Sequence, residues 1–245
     1  MFRHQGDKRT FKHNLYLATI LSMIAGIVNS VGFLSIKTFT TNVTGHFAVF
    51  AEEILQKDPF DSFVFISYVL AFLLGAATSG FFTELTFKFT PQRGFVVPIL
   101  LELCVLFYVS TFDTHNVQAE TNRIAHFLLF AMGLQNALVT QISNSVVRTT
   151  HLTGLFTDLG IELSQLFFYW RDEKRKTLLK SIGLRTAIIL FFLMGCLLGG
   201  WSYGKIGFDT LKIASFLLLG ALVFDNIKYQ FYTLKRKIRD ITEDL

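Results

Sequence analysis

The chain has 245 residues, of which 51% are hydrophobic and only 17% charged, with 28 Phe against 3 Pro. A mean hydropathy of +0.47 excludes an ordinary soluble domain and points to long lipid-facing helices. The net charge of +5 does not mark a nucleic-acid binder, because the basic residues bracket apolar stretches, as they do on the cytoplasmic side of membrane proteins.

A helix needs about 20 apolar residues to cross a bilayer core. In chain order that length predicts spans over 15–36, 62–83, 94–112, 123–142, 185–204 and 207–225. The first runs uncharged from Asn14 to Ile36, too long for the apolar region of a cleavable leader. The fourth has no Asp, Glu, Lys or Arg between Ile124 and Val147, and the sixth is weakest, with Asp209 and Lys212 in its first turns. Cys104 and Cys196 fall mid-segment among apolar neighbours, so no disulfide framework is implied.

Lys and Arg cluster in alternate connections. Arg3, Lys8, Arg9 and Lys12 precede the first span, and Lys88 and Arg93 follow the second. Arg171, Lys174, Arg175, Lys176 and Lys180 follow the fourth, and Lys235, Arg236, Lys237 and Arg239 lie in the tail. The other loops hold little beyond Lys37, Lys57, Arg123 and Lys205. Six spans with both termini cytoplasmic satisfy the positive-inside rule in every loop. Two further stretches, about 44–56 and 153–169, also look helical. The first is too short to cross, so each is expected as a re-entrant or interfacial helix, with a marginal span as the alternative at 153–169.

An internal repeat links these elements. Thr44-Gly45-x-Phe47 returns as Thr153-Gly154-x-Phe156, with Glu53 and Glu162 at the same offset. Gly26-x-x-Asn29 returns as Gly133-x-x-Asn136, and Phe72-Leu73-x-Gly75-x-x-x-x-Gly80 as Phe192-Leu193-x-Gly195-x-x-x-x-Gly200. The expected architecture is a single all-α polytopic membrane domain, 1–245. It comprises repeat 1 at about 15–112, repeat 2 at about 123–225, and a basic cytoplasmic tail, 226–245, lying on anionic lipid. Three spans per half would invert the second copy, a plan found in secondary transporters with sites near midplane at interrupted helices. The interruptions are expected at the hydroxyl-rich runs 38–44 and 146–151. Thr44 and Thr153 would cap the short helices, and the following Gly would admit a second backbone.

The blocks AGIVNSVGFLSIKTFTTNVTGH and GLQNALVTQISNSVVRTTHLTGLFTDLGIEL resemble the two signature blocks of the YoaK-like family, bacterial integral membrane proteins with a domain of unknown function. The resemblance covers about 15–225. It implies a bacterial cytoplasmic membrane location and supplies no substrate. The family pattern has Asp where Asn29 stands and Asn where His46 stands, so a role needing a carboxylate at 29 does not carry over.

Chemistry-bearing residues follow from this frame. Glu102 sits mid-span, where an ionisable side chain costs at least about 2.5–3.5 kcal/mol and so faces the bundle interior. It is a candidate proton site or a structural hydrogen-bonding group, and Pro98 one turn earlier is expected to kink its helix. Asp158 and Glu162 share a helical face, and Glu53 is the repeat partner of Glu162. On a desolvated face two carboxylates resist joint ionisation and suit proton coupling; on a surface helix they are its wet face. Asn29 and Asn136, with Asn42, Thr44, Gly45, His46, Thr153 and Gly154 at the breaks, are candidates to hold a solute, the alternative for the asparagines being helix–helix glue. Arg148, Thr149 and Thr150 beside the helix start at Thr153 have the makings of an anion site, the alternative being lipid headgroup contact. His46 and His151 flank the breaks and are candidates to titrate near neutrality.

No nucleotide loop, HExxH, nucleophile elbow or paired His–Cys arrangement occurs, so neither an enzyme nor a cofactor is expected. Metal ligands are not expected either. The partners implied are the lipid bilayer and an unidentified small solute, not nucleic acid, and a homo-oligomer is compatible with the sequence. The leading expectation is a small-solute secondary transporter with proton coupling, alternating by rocking one half on the other. A channel and a non-transporting membrane scaffold are the alternatives.

Overall fold

The computed structural model describes residues 2, 9–56, 59–89, 94–114 and 117–243. Arg3, Lys8, Lys57 and Arg93, which entered the charge argument, lie outside the described residues. The described chain is all helical: α1 (Phe11–Ile36), α2 (Val43–Gln56), α3 (Pro59–Phe89), α4 (Val96–Val109), α5 (Val117–Ser143), α6 (Leu152–Phe168), α7 (Lys174–Ile206) and α8 (Thr210–Glu243). Among the described residues four segments are long and apolar enough to cross a membrane: Phe11–Ile36, Ser62–Phe89, Val117–Ser143 and Lys174–Phe231. The last contains α7, the 3-10 turn Gly207–Asp209 and much of α8.

The third expected span is shorter than the sequence suggested. α4 has 14 residues, roughly 21 Å of helix against about 30 Å of hydrocarbon. Pro98 does not kink it. It lies in the first turn, where the missing N–H has no intrahelical partner to lose. The buried residues of α4 are Pro98, Ile99, Glu102, Leu106 and Val109, spaced as one helical stripe. α4 packs against α5 and α8.

Both breaks occur where expected, by a different local mechanism. α1 ends on Lys37, left-handed at φ 55, whose N–H bonds the Phe33 carbonyl. α5 is followed by Asn144 and Ser145 at φ 51 and 63. A left-handed residue commonly ends a helix by satisfying its last carbonyls. The next helices begin at Val43 and Leu152, so Thr44 and Thr153 are first-turn residues and not caps. Asn42 caps α2, its Oδ1 accepting from the Gly45 N–H at 3.2 Å. His151 stands at the corresponding place before α6, where a Cβ on Gly154 would fall 2.4 Å from its Nδ1. The glycine after each Thr thus makes room for the preceding cap side chain.

The repeat motifs meet across the molecule. The two largest helix–helix interfaces are α1 with α7 and α3 with α5. A Cβ on Gly26 would lie 2.2 Å from the Phe192 carbonyl oxygen, and one on Gly133 would lie 2.1 Å from that of Phe72. Reciprocally, a Cβ on Gly195 or Gly75 would lie 2.1 Å from the carbonyl oxygen of Met23 or Phe130. Each glycine motif of one half is therefore pressed backbone to backbone on the complementary motif of the other. In lipid, where apolar surface gives little drive for association, such close approach supplies the packing. α1 runs parallel to α7, since Gly195 meets Met23 and Gly199 meets Ile27. α3 runs parallel to α5, with Ser67 bonded to His126 and Gly80 near Gln141.

The first helix of each sequence repeat thus packs against a helix of the other, α1 on α7 and α5 on α3.

Candidate functional site

The two breaks face one cavity of about 1420 Å³. Its lining carries a matched pair of hydrogen bonds. Thr41 Oγ1 donates to Asn29 Oδ1 at 2.9 Å, and Thr150 Oγ1 donates to Asn136 Oδ1 at 2.8 Å. The four residues line the cavity and correspond by the repeat. Each bond ties the last turns of a long helix to the non-helical stretch that follows it. Because the hydroxyl takes the amide oxygen, the amide N–H groups are left to the cavity.

Around these pairs the wall divides by chemistry. Phe39, Phe72 and Phe192 supply apolar surface, and the carbonyls of the last two also carry the glycine crossings. Asn42, Thr44 and Gly45 line it at the start of α2, and Thr153 and Gly154 at the start of α6. Arg148, Asp158 and Arg185 bring charge, all from the second half. Most of the sequence-derived solute residues are thus brought together.

Two are not. His46 is buried, with Nε2 3.0 Å from the Phe39 carbonyl and its ring edge-on to Tyr68. Burial holds it below its ordinary histidine range, opposed by the Phe39 carbonyl, so it serves as a brace for the first break. Thr149 is fully buried beneath the second break, 3.4 Å from Gln135 Nε2, which also donates to the Leu21 carbonyl at 2.9 Å. Gln135 therefore joins α5 to α1 outside the cavity lining.

The candidate proton groups separate as well. Glu102 is fully buried on α4, away from the cavity wall, and neither carboxylate oxygen has a hydrogen-bond partner among the described residues. Glu53 lies on α2 outside the lining. The Asp158–Glu162 pair is not an isolated pair of like charges, because Arg185 stands between them. Arg185 Nε donates to Glu162 Oε2 at 3.0 Å, and its Nη2 lies 3.4 Å from Asp158 Oδ2. Ser181 Oγ donates to Glu162 Oε1 at 2.6 Å. The repulsion that the four-residue spacing implied is answered by a guanidinium from α7.

Arg185 and Ser181 were missed because Arg185 stood at the edge of the fifth expected span and Ser181 in the loop before it. α7 begins at Lys174, which puts both inside a helix facing α6. The signal available was an Arg beside an apolar span, with an i,i+4 carboxylate pair elsewhere to receive it. Thr41 was passed over within its threonine-rich run. Among the described residues no group of three or more His, Cys, Asp or Glu has a metal-binding arrangement.

With this geometry in hand, comparison with known proteins is informative about kinship. The family model described as "Protein of unknown function (DUF1275)" matches residues 17–224. The UPF0700 transmembrane protein YoaK of Bacillus subtilis (strain 168) is 21% identical over 183 residues, covering 74% of this chain and 80% of that protein. No solved structure matches. Together with the long apolar helices, this kinship makes the chain a membrane protein.

Proposed function

Since this chain belongs to the DUF1275 family, whose function is unknown, its role has to be read from the cavity, and we propose that it is a small-solute secondary transporter with proton coupling, set in a bacterial cytoplasmic membrane. The observation that carries this reading is the twin Asn–Thr arrangement, Asn29–Thr41 and Asn136–Thr150, at two helix breaks on one cavity. Non-helical backbone at membrane depth persists only where it is buried in protein or lines a cavity. Transporters with repeated halves place their solute at such breaks.

The architecture under this reading is six spans, α1, α3, α4, α5, α7 and α8, with both termini cytoplasmic and the halves inverted. Support comes from the reciprocal glycine crossings and from the parallel pairing of α1 with α7 and of α3 with α5. A copy turned upside down puts the first helix of one half beside, and parallel to, the second spanning helix of the other. Asn29 and Asn136 hold the solute. Glu102 takes the proton, because a buried carboxyl without partners is far cheaper neutral than charged. It lies where α4 packs on α5 and α8. No catalytic constellation is invoked.

The test is flux. Protein reconstituted in liposomes with an entrapped pH dye is offered small solutes one at a time. At least one should drive a saturable proton movement that Glu102→Gln abolishes while the variant stays folded. Flux that never saturates would favour a channel. A Glu102→Gln variant that fails to assemble, with no flux in the parent for any solute, would favour a scaffold.

A further inference from the structure

The charge pattern of the cavity wall narrows the solute, and the argument rests on the preceding reading of the cavity as the solute site. Three charged side chains line it: Arg148, Asp158 and Arg185. Glu162 stands just behind. Arg185 has one close partner, Glu162, whose side chain is 13% exposed and whose other oxygen accepts from Ser181. Asp158 receives only a 3.4 Å approach from Arg185 and is 52% exposed. Arg185 is therefore matched chiefly by Glu162, and Asp158, in the longer and more exposed of the two ion pairs, keeps negative charge that Arg185 offsets only in part. Arg148 is exposed and forms no ion pair among the described residues. One wall thus presents a guanidinium with no ion-pair partner among the described residues and a half-exposed carboxylate held only by the longer of Arg185's two ion pairs, and the two do not pair with each other.

We infer that the cavity binds a small zwitterion, its anionic end at Arg148 and its cationic end at Asp158. A simple anion drawn to Arg148 would meet Asp158 in the same cavity, and a simple cation drawn to Asp158 would meet Arg148. Only a molecule carrying both charges satisfies both groups. In the register set by Thr44 and Thr153, Phe39 occupies the first-half position corresponding to Arg148. At this position the first half is accordingly apolar where the second half is charged. It suits the carbon skeleton of the ligand, with the Asn29 and Asn136 amides as lateral donors.

Purified full-length protein in detergent tests this by thermal unfolding against three five-carbon probes: 5-aminopentanoate, pentanoate and pentylammonium. Glycine and 6-aminohexanoate vary the charge separation. The expected result is stabilisation by at least one amino acid of the series and none by pentanoate or pentylammonium. Arg148→Gln should weaken apparent affinity for the zwitterion by about ten-fold or more, and so should Asp158→Asn, the usual scale for a lost charged hydrogen-bond partner. Asp158→Asn should in addition gain a response to pentanoate, and Arg148→Gln one to pentylammonium. Arg148→Lys and Asp158→Glu keep the charges and should retain the zwitterion response, which separates charge recognition from misfolding. Equal stabilisation of the parent protein by pentanoate, or an Asp158→Asn variant with an unchanged zwitterion response, overturns the inference and leaves a solute cavity of another specificity. Silence across the whole series overturns it too, and removes the cavity as support for transport.

Discussion

Replacing Gly75 by Ala adds one methyl group at a crossing with no space for it. The new Cβ would stand 2.1 Å from the Phe130 carbonyl oxygen, where ordinary contact begins at 3.4 Å, so α3 and α5 must part by about 1.3 Å there. The obstructing atom is backbone, so no side chain can rotate away. Overpacking of this kind costs about 1–3 kcal/mol, and it overrides the gain of about 0.5–1 kcal/mol that Ala brings over Gly in a helix. Gly183, in α7, has nothing within 4 Å of its virtual Cβ, so Gly183→Ala should be neutral or stabilising. Equilibrium unfolding in mixed micelles with a denaturing detergent measures both. The repeat sharpens the expectation. Gly133→Ala strikes the same crossing from the other side, at 2.1 Å from the Phe72 oxygen. The Gly75→Ala/Gly133→Ala double variant should therefore cost less than the sum of its parts, because the first substitution has already opened the gap. Gly195 sits at the other crossing, so Gly75→Ala/Gly195→Ala should add within about 0.5 kcal/mol. The interlock is refuted if Gly75→Ala is as harmless as Gly183→Ala, or if the same-crossing pair is strictly additive.

Two further outcomes follow from the geometry. A double-mutant cycle on Arg185 and Glu162 should give a coupling of about 1–2 kcal/mol, because both are largely buried and in direct contact. The Arg185–Asp158 cycle should give about 0.5 kcal/mol or less, as usual for a long, half-exposed pair. Comparable couplings would mean that Arg185 belongs equally to both carboxylates. Asn42→Ala should remove the cap of α2 at a cost of about 1 kcal/mol, seen as faster amide hydrogen exchange confined to residues 43–46; unchanged exchange would show that Asn42 does not hold the helix start.

The helices were legible because a long apolar run in a membrane protein has few alternatives to helix. The two breaks were legible because the motifs recur, and the recurrence put Asn29 and Asn136, distant in sequence, in one place. What the motifs did not disclose was their complementarity. Gly26-x-x-Asn29 and Phe72-Leu73-x-Gly75 each read as packing signals, but a single sequence does not say which small face meets which. That choice depends on how the loops let the helices cross. Cap identity was misjudged for a related reason. Thr44 and Asn42 are both good capping residues, and the start of α2 at Val43 gives the cap to Asn42. Arg185 stayed hidden because a charged residue at the edge of an apolar run reads as a boundary, whereas here a helix begun at Lys174 carries it inward to its carboxylates.

The packing also explains why the chain must break at all. α2 packs on α3, which is locked to α5, and α6 packs on α7, which is locked to α1. By these interfaces six of the helices fall into two groups, α1 with α6 and α7, and α3 with α2 and α5, which meet where α1 packs on α5 and Gln135 donates to the Leu21 carbonyl, while α8 packs on α1 and α4 on α5. The chain passes from the first group to the second between Ile36 and Val43, and from the second to the first between Ser143 and Leu152. The left-handed turns at Lys37 and Asn144 with Ser145, and the extended stretches after them, are these two crossings, and the cavity lies between the groups. Asn29 belongs to one group and Asn136 to the other, each bonded through Thr41 or Thr150 to the strand of chain leaving its own group. On the transport reading, any movement of one group on the other would have to work at the α1–α5 contact that joins them. A solute gripped by both asparagines would pull on both crossings at once, coupling occupancy of the cavity to the relative position of the groups with no further linkage required.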